Sequence, residues 1–269
     1  MGEEDLVVSE TKVVDSPNAS AQEPDTTTEL DSADPDWITR EEAENNLRAR
    51  MMQVRSNEDG TPYGHDWYEV EHERIEKAAH EHNIPRDVMF AAIAAGSPAV
   101  PWDTKSGKRP NIALVLALER AMRAHDTTDP DEVVKWAKLD ALPGEKPQGY
   151  EENLRKVVRI LGGEDPHEVL GDVKVGHFHN NLKNPDQHSN DPTIDRWAAR
   201  ALSGRAGSNR KGFYTETDKI DLRLADPKWY RWSMDRYRAV AKETGFSAMA
   251  IQGAIWVNIR EEAGLPWMR

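Results

Sequence analysis

Apolar side chains recur at helical spacing through most of the chain. Between residues 65 and 83, for example, Trp67, Ile75 and Ala79 share one face of a helix. No stretch shows the strict alternation of apolar and polar residues that is typical of a half-buried strand. The sequence therefore predicts a mostly α-helical domain over residues 37–269. Helices are expected from Thr39 onward and over 65–83, 86–95, 112–124, 130–139, 149–161, 175–182, 195–200, 229–244 and 247–263.

Several of these helices carry recognisable start and stop signals. Thr39 is followed three residues later by Glu42, which is the spacing of a capping box. Asp129 precedes Pro130, so an N-cap is followed by proline at the first helical position. The run 112–124 is strongly apolar, and we expect it to form the central helix of the domain.

The first 36 residues differ from the rest in composition. They hold eleven acidic residues and one base, Lys12, so they carry −10 of the net charge of −13. They contain no aromatic residue and cannot bury enough apolar surface to offset the entropy of ordering, which predicts a disordered acidic tail. The tail is either a solubilising segment, a polyanion that shields a DNA-binding groove, or the docking site of a protein partner.

Composition also excludes several classes of protein. The chain has no cysteine, which excludes disulfides, thiolate metal sites and iron–sulfur clusters. No apolar run approaches the roughly 20 residues that a membrane helix needs, and no signal pattern is present, so we expect a cytoplasmic protein (in the host cytoplasm if it is viral). His177 and His179 are two positions apart and would face different sides of a helix, so neither a metal nor another cofactor is predicted.

The segment 165–204 brings together two groups that can do chemistry. Lys174 follows a turn that contains Gly171, and a short helical run follows the lysine. After a polar loop, Asp195 opens the next helix, where a simple N-cap is the alternative interpretation. The sequence thus holds an amine and a carboxylate on two helices joined by a loop.

This order resembles the core of the helix-hairpin-helix DNA glycosylases. The run LGDVK at 170–174 is similar to the Leu-Pro-Gly-Val-Gly hairpin of that family, although only one glycine remains before the lysine and Asp172 adds a negative charge. The pair Ile194-Asp195 and the later Arg200 match the family's Val-Asp-Thr-His-Val-x-Arg pattern, in which Arg196-Trp197 replaces Thr-His. The resemblance covers roughly residues 75–204 and leaves residues 205–269 as C-terminal helices.

The resemblance implies a mostly α, helix-hairpin-helix glycosylase-like fold that binds DNA, flips out a base and cleaves its N-glycosidic bond. Asp195 would stabilise the cationic sugar as the base leaves, or activate a nucleophile. Lys174 would either attack C1′ of the sugar as a Schiff-base nucleophile or bind a phosphate, and an ordinary exposed lysine is the alternative interpretation. The backbone at Gly171 and Gly176 would approach the DNA phosphates, which requires the absence of a Cβ.

Further DNA contacts are expected at the rim of the site. The resemblance puts Ser97 where the family has a polar wedge residue, and Trp102 either fills the gap left by the flipped base or anchors its loop. Two glycine-containing basic loops would follow the phosphate backbone, unless they are only solvated loops. Their candidate residues are Lys105, Lys108, Arg109, Arg205, Arg210 and Lys211.

The sequence also allows other interpretations. The degenerate hairpin favours a DNA-binding protein of the same fold that has lost its chemistry. The chain also resembles an uncharacterised family of actinobacterial phages in which a TIDRWA-like segment (193–198) recurs, which is compatible with a phage interaction protein. The glycosylase interpretation requires Lys174 and Asp195 to face one cleft, with Ser97 and Trp102 on its rim. The tyrosines and tryptophans of 229–237, and the pair Gln252 and Trp256, are interpreted as packing residues.

Overall fold

The computed structural model describes residues 34–35, 37–98, 100–102, 109–141, 147–171, 173–204 and 226–262. Within these ranges the protein is helical, and the only β pairing is an isolated bridge between Ser56 and Pro62. The mostly α prediction is therefore confirmed. The helices are α1 (Arg40–Met51), α2 (Trp67–Glu81), α3 (Arg86–Gly96), α4 (Pro110–His125), α5 (Pro130–Leu139), α6 (Glu151–Leu161), α7 (Pro166–Leu170), α8 (Val173–Lys183), α9 (Arg196–Leu202), α10 (Pro227–Thr244) and α11 (Ala248–Glu262).

Local sequence signals account for most of the helix ends. Thr39 forms a complete capping box, in which its hydroxyl accepts from the Glu42 amide at 3.2 Å and its own amide donates to the Glu42 carboxylate at 2.9 Å. Asp129 caps α5 through two backbone amides. Gly245 ends α10 with a φ of 76°, a left-handed conformation that glycine adopts without strain. The short helix α7 was not predicted, although Asp165 caps it at a Pro-containing start.

The centre of the domain is α3 rather than the predicted run 112–124. Every residue from Met89 to Gly96 is buried, and α3 packs against α2, α4, α6, α7 and α8. In contrast, α4 buries one side and leaves Arg120 and Arg123 exposed. The alanines of α3 allow neighbouring helices to approach from every side, and a helix that is apolar all round is buried.

Two hydrophobic clusters fill the interior. The first cluster is formed mainly by α2 to α8, and the second by α1, α9, α10 and the segment before α9. The last helix, α11, belongs to both, because Met249 and Val257 enter the first cluster and Ile251 and Ile255 enter the second. Trp197 also packs against both clusters.

The folded unit begins at Asp34, slightly before the predicted boundary at residue 37. The Asp34 carboxylate accepts from the Arg40 amide at 3.0 Å and from Trp232 Nε1 at 3.4 Å. Apart from residues 34 and 35, the predicted disordered tail (1–36) lies outside the described residues. None of the described helices is both long enough and apolar enough to cross a membrane.

Candidate functional site

A cleft of about 500 Å³ opens where the two hydrophobic clusters meet. Its walls come from the start of α2, the segment after α3, the first half of α8, the residues that lead into α9, and α11. Its lining residues include Trp67, Tyr68, Trp102, Lys174, Phe178, Asp195, Gln252, Trp256 and Arg260.

Aromatic rings form much of this cleft. The ring centroid of Trp67 lies 4.8 Å from that of Tyr68, 5.0 Å from that of Trp102 and 4.9 Å from that of Trp256. Phe178 completes the group, with its ring 5.6 Å from Trp102. These separations are those of favourable edge-to-face and tilted pairs. Trp102 is only 7% exposed, which favours the interpretation that it anchors its loop over the one in which it fills the gap left by a flipped base.

Asp195 enters the cleft from the N-cap of α9. Its Oδ1 accepts from the Ala198 amide at 2.8 Å, and its Oδ2 accepts from Trp256 Nε1 at 3.2 Å. Two buried tyrosines of α10 hold the same turn from behind. The Tyr230 hydroxyl accepts from the Ile194 amide at 3.0 Å, and the Tyr237 hydroxyl donates to the Ala198 carbonyl at 3.1 Å. The carboxylate is therefore fixed in position by contacts on both of its sides.

The surroundings of Asp195 disfavour its ionised form. Burial raises the pKa of the carboxyl above its ordinary value of 3.8. The hydrogen bond from Ala198, the positive charge of Lys174 and the hydrogen bond from Trp256 act in the opposite direction, but burial dominates. A positive charge on a bound molecule would therefore be stabilised here more strongly than in water.

The structure brings Lys174 into the same cleft as Asp195. Lys174 is half-buried in the first turn of α8, and its charge is close enough to lower the pKa of Asp195. Ser97 and Trp102 also line the cleft. The two chemical groups thus share one cavity with the two predicted rim residues, as the glycosylase interpretation requires.

The other predicted contacts have different positions. Gly171 is exposed at the end of α7 with a φ of 49°, and Gly176 lies within α8 with open space where a Cβ would be. Arg109 is half-buried near the charges of Glu71 and Arg74 and does not line the cleft. The remaining candidates, Lys105, Lys108, Arg205, Arg210 and Lys211, lie outside the described residues, as does Asp172.

Three lining residues of α11 were missed or misread from sequence. Gln252, Trp256 and Arg260 are spaced four residues apart, so they lie on one helix face, and all three line the cleft. Gln252 is 4% exposed, and its side-chain oxygen accepts from the Tyr68 hydroxyl at 2.9 Å. Gln252 and Trp256 are buried as packing residues would be, but they also form part of the site. The sequence places a polar, an aromatic and a basic residue at intervals of four in this apolar helix, but that spacing does not show whether they face a core or a cavity.

The histidines near the cleft are occupied by packing. His177 stacks on Tyr230 with ring centroids 5.4 Å apart, and burial lowers the pKa of His179 to about 4. Among the described residues, no cluster of three or more His, Asp or Glu is arranged to hold a metal ion.

Comparison with known proteins identifies a family relationship. A family model described as "Family of unknown function (DUF7178)" matches residues 36–263. No curated protein and no solved structure matches the chain. Because the match spans most of the sequence, the chain belongs to this family of unknown function, DUF7178.

Proposed function

We propose that this protein is a DNA glycosylase-like enzyme that accepts a flipped base in its cleft and breaks the N-glycosidic bond. The observation that carries the proposal is the juxtaposition of Asp195 and Lys174 in one aromatic-lined cavity. The carboxylate is held by two hydrogen bonds, and burial raises its pKa.

The cleft suits a planar base. Its volume of about 500 Å³ lies within the range of about 300–1,000 Å³ that is usual for small-molecule sites. Bases that enzymes extrude from DNA are held by stacking on aromatic side chains and by hydrogen bonds to their edges. Here Trp102 and Phe178 offer aromatic surface, and the Gln252 amide offers polar atoms at the floor.

The chemistry follows from the charge of Asp195. As the bond between C1′ and the base nitrogen breaks, the base takes the electron pair and then a proton, and the sugar becomes positively charged. A fixed carboxylate in a partly water-excluded cleft stabilises that cation. Water then attacks C1′ and loses a proton, which leaves an abasic site.

Lys174 has two roles compatible with its position beside Asp195. As a nucleophile, its neutral amine would attack C1′ in place of water as the bond to the base breaks. Loss of a proton from the nitrogen and opening of the bond between C1′ and the ring oxygen, which takes up a proton, would then give a covalent imine. As a phosphate ligand, it would hold the backbone next to the flipped nucleotide.

A second candidate function is nucleotide binding without chemistry. Its supporting observation is that both oxygens of Asp195 already accept hydrogen bonds, one of which caps α9. A purely structural role would account for those contacts.

The test is incubation of the full chain with duplexes that carry a panel of modified bases, followed by alkali to reveal abasic sites. Asp195→Asn should abolish base release while leaving DNA affinity within a few-fold, because the substitution removes the charge but little volume. Asp129→Asn is the matched control, since Asp129 also caps a helix but lies outside the cleft. Full activity of the Asp195 variant would refute the catalytic assignment, and DNA binding without base release from any duplex would support the second candidate.

A further inference from the structure

Arg260 is a buried cation within the cleft. The residue is 6% exposed, and its guanidinium carbon lies 4.3 Å from the centroid of the Trp256 ring. In the part of the chain that the structure describes, Arg260 forms no hydrogen bond and no ion pair. Asp195 and Glu71 are close enough for their charges to act on it, yet burial lowers its pKa to about 10.

The guanidinium of Arg260 lines the cleft, and none of its nitrogens is among the fully buried side-chain atoms that lack a hydrogen-bond partner. A comparable arginine outside the cleft, Arg236, is 8% exposed and lies over Trp232 at 5.4 Å. Its guanidinium donates to Glu44 at 3.0 Å, although its Nε has no partner. Arg260 has no such acceptor among the described residues, so its N–H groups are available to a ligand in the cleft.

The geometry of Arg260 defines what that partner offers. Trp256 covers one face of the planar guanidinium, which leaves its edge N–H groups to donate. An arginine edge matches two adjacent acceptors in one plane. The charge of the cleft fits an electron-rich group, because Lys174 and Arg196 also line it and, among the described residues that line it, Asp195 is the one acid.

We propose that Arg260 binds a pair of adjacent hydrogen-bond acceptors on the nucleotide held in the cleft and thereby selects that nucleotide. The choice of a nucleotide as ligand rests on the proposed function. We take two such pairs as the candidates: the O6 and N7 edge of a guanine-type base, and the oxygens of its phosphate.

Binding to the full wild-type chain separates these two sources. The binding of guanosine, inosine, 7-deazaguanosine, adenosine and the monophosphates of guanosine and adenosine is followed by quenching of tryptophan fluorescence, because tryptophans line the cleft. If the base edge is bound, guanosine and inosine bind alike. Adenosine and 7-deazaguanosine, which each lack one acceptor of the pair, bind on the order of tenfold more weakly. If the phosphate is bound, both monophosphates bind and the four nucleosides do not. Equal affinity for all six ligands, or binding of none, overturns the proposal.

Substitution at Arg260 tests the residue itself. Arg260→Lys keeps the charge but loses the planar pair of donors, so it should reduce the preference among ligands on the order of tenfold. Arg236→Lys is the matched control, because it changes an equally buried arginine on a tryptophan outside the cleft. An Arg260→Lys chain that folds and keeps the wild-type preference overturns the proposal. If that variant does not fold, the six wild-type affinities still decide.

The outcome is independent of the glycosylase assay. Arg260-dependent binding without release of any base would remove the proposed chemistry and keep this inference. Base release whose selectivity is unchanged in Arg260→Lys would support the proposed chemistry and overturn this inference.

Discussion

Replacement of Trp256 by Phe isolates the hydrogen bond that reaches Asp195 from α11. The substitution keeps an aromatic ring in the cleft but removes the Nε1–H group that donates to Asp195 Oδ2 at 3.2 Å. Hydrogen bonds to charged groups contribute about 1.5–3 kcal/mol, and 3.2 Å is at the long end of the usual range, so about 1.5 kcal/mol is expected here. Loss of this hydrogen bond raises the pKa of Asp195 further.

The effect on stability depends on pH with a definite sign. The pKa of Asp195 is already higher in the folded chain than its ordinary value of 3.8, so ionisation of this carboxyl destabilises the fold. The destabilisation is absent well below pH 3.8 and complete above the folded-state pKa. Because Trp256→Phe raises that pKa further, the variant should lose about 1.5 kcal/mol more above the folded-state pKa of Asp195 than well below pH 3.8.

Urea denaturation from neutral pH down to the lowest pH at which the wild type stays folded would measure this difference. Trp67→Phe is the matched control. Trp67 is a neighbouring cleft tryptophan whose buried Nε1 has no hydrogen-bond partner among the described residues. Its replacement should change stability by the same amount at every pH.

A loss from Trp256→Phe that does not vary with pH would refute this account of the carboxylate. The double variant with Asp195→Asn gives a second check, because the pH-dependent part of the Trp256→Phe effect should vanish when the titrating group is absent.

Three further predictions address the hairpin and the tail. Borohydride should trap a covalent protein–DNA adduct that Lys174→Gln loses if Lys174 is a nucleophile. If Lys174 instead binds phosphate, no adduct forms, and the salt dependence of DNA binding by Lys174→Gln corresponds to about one counterion fewer than in the wild type. No adduct together with an unchanged salt dependence excludes both roles. Gly171→Ala should lower the stability of the fold by about 1 kcal/mol, because the residue has a positive φ. Gly176→Ala, within α8, should raise the stability by about 0.5–1 kcal/mol. Thermal melts measure both changes, and equal effects would contradict the assigned backbone conformations. Removal of residues 1–33, which carry nine acids and one lysine, should leave the melting temperature almost unchanged and strengthen non-specific DNA binding; a large drop in melting temperature would show that this segment is docked.

The helices could be predicted from sequence because their signals are local. Capping residues such as Thr39 and Asp129 and the periodic apolar positions of α2 are written within a few neighbouring residues. The burial of α3 was not predictable in the same way. It depends on helices that come from distant parts of the chain and meet around its alanines.

The residues of the cleft also divide into those that the sequence could predict and those that it could not. Lys174 and Asp195 could be identified from sequence, because a turn is visible just before Lys174 and a helix start is visible at Asp195. Trp256 and Arg260 did not, because an aromatic or basic residue in a buried helix looks the same whether it faces a core or a cavity. Only the packing of α11 against α2 and α9 turns that face toward Asp195.

The shared position of α11 has a consequence for how the protein is made. This helix contributes to both hydrophobic clusters, and it follows every other described helix in chain order. During synthesis, the earlier helices emerge from the ribosome without the segment that closes either cluster. Asp195 likewise lacks its Trp256 partner until that moment. A nascent chain halted before Ala248 would therefore remain open to proteases and chaperones, and the cleft would form in a single late event.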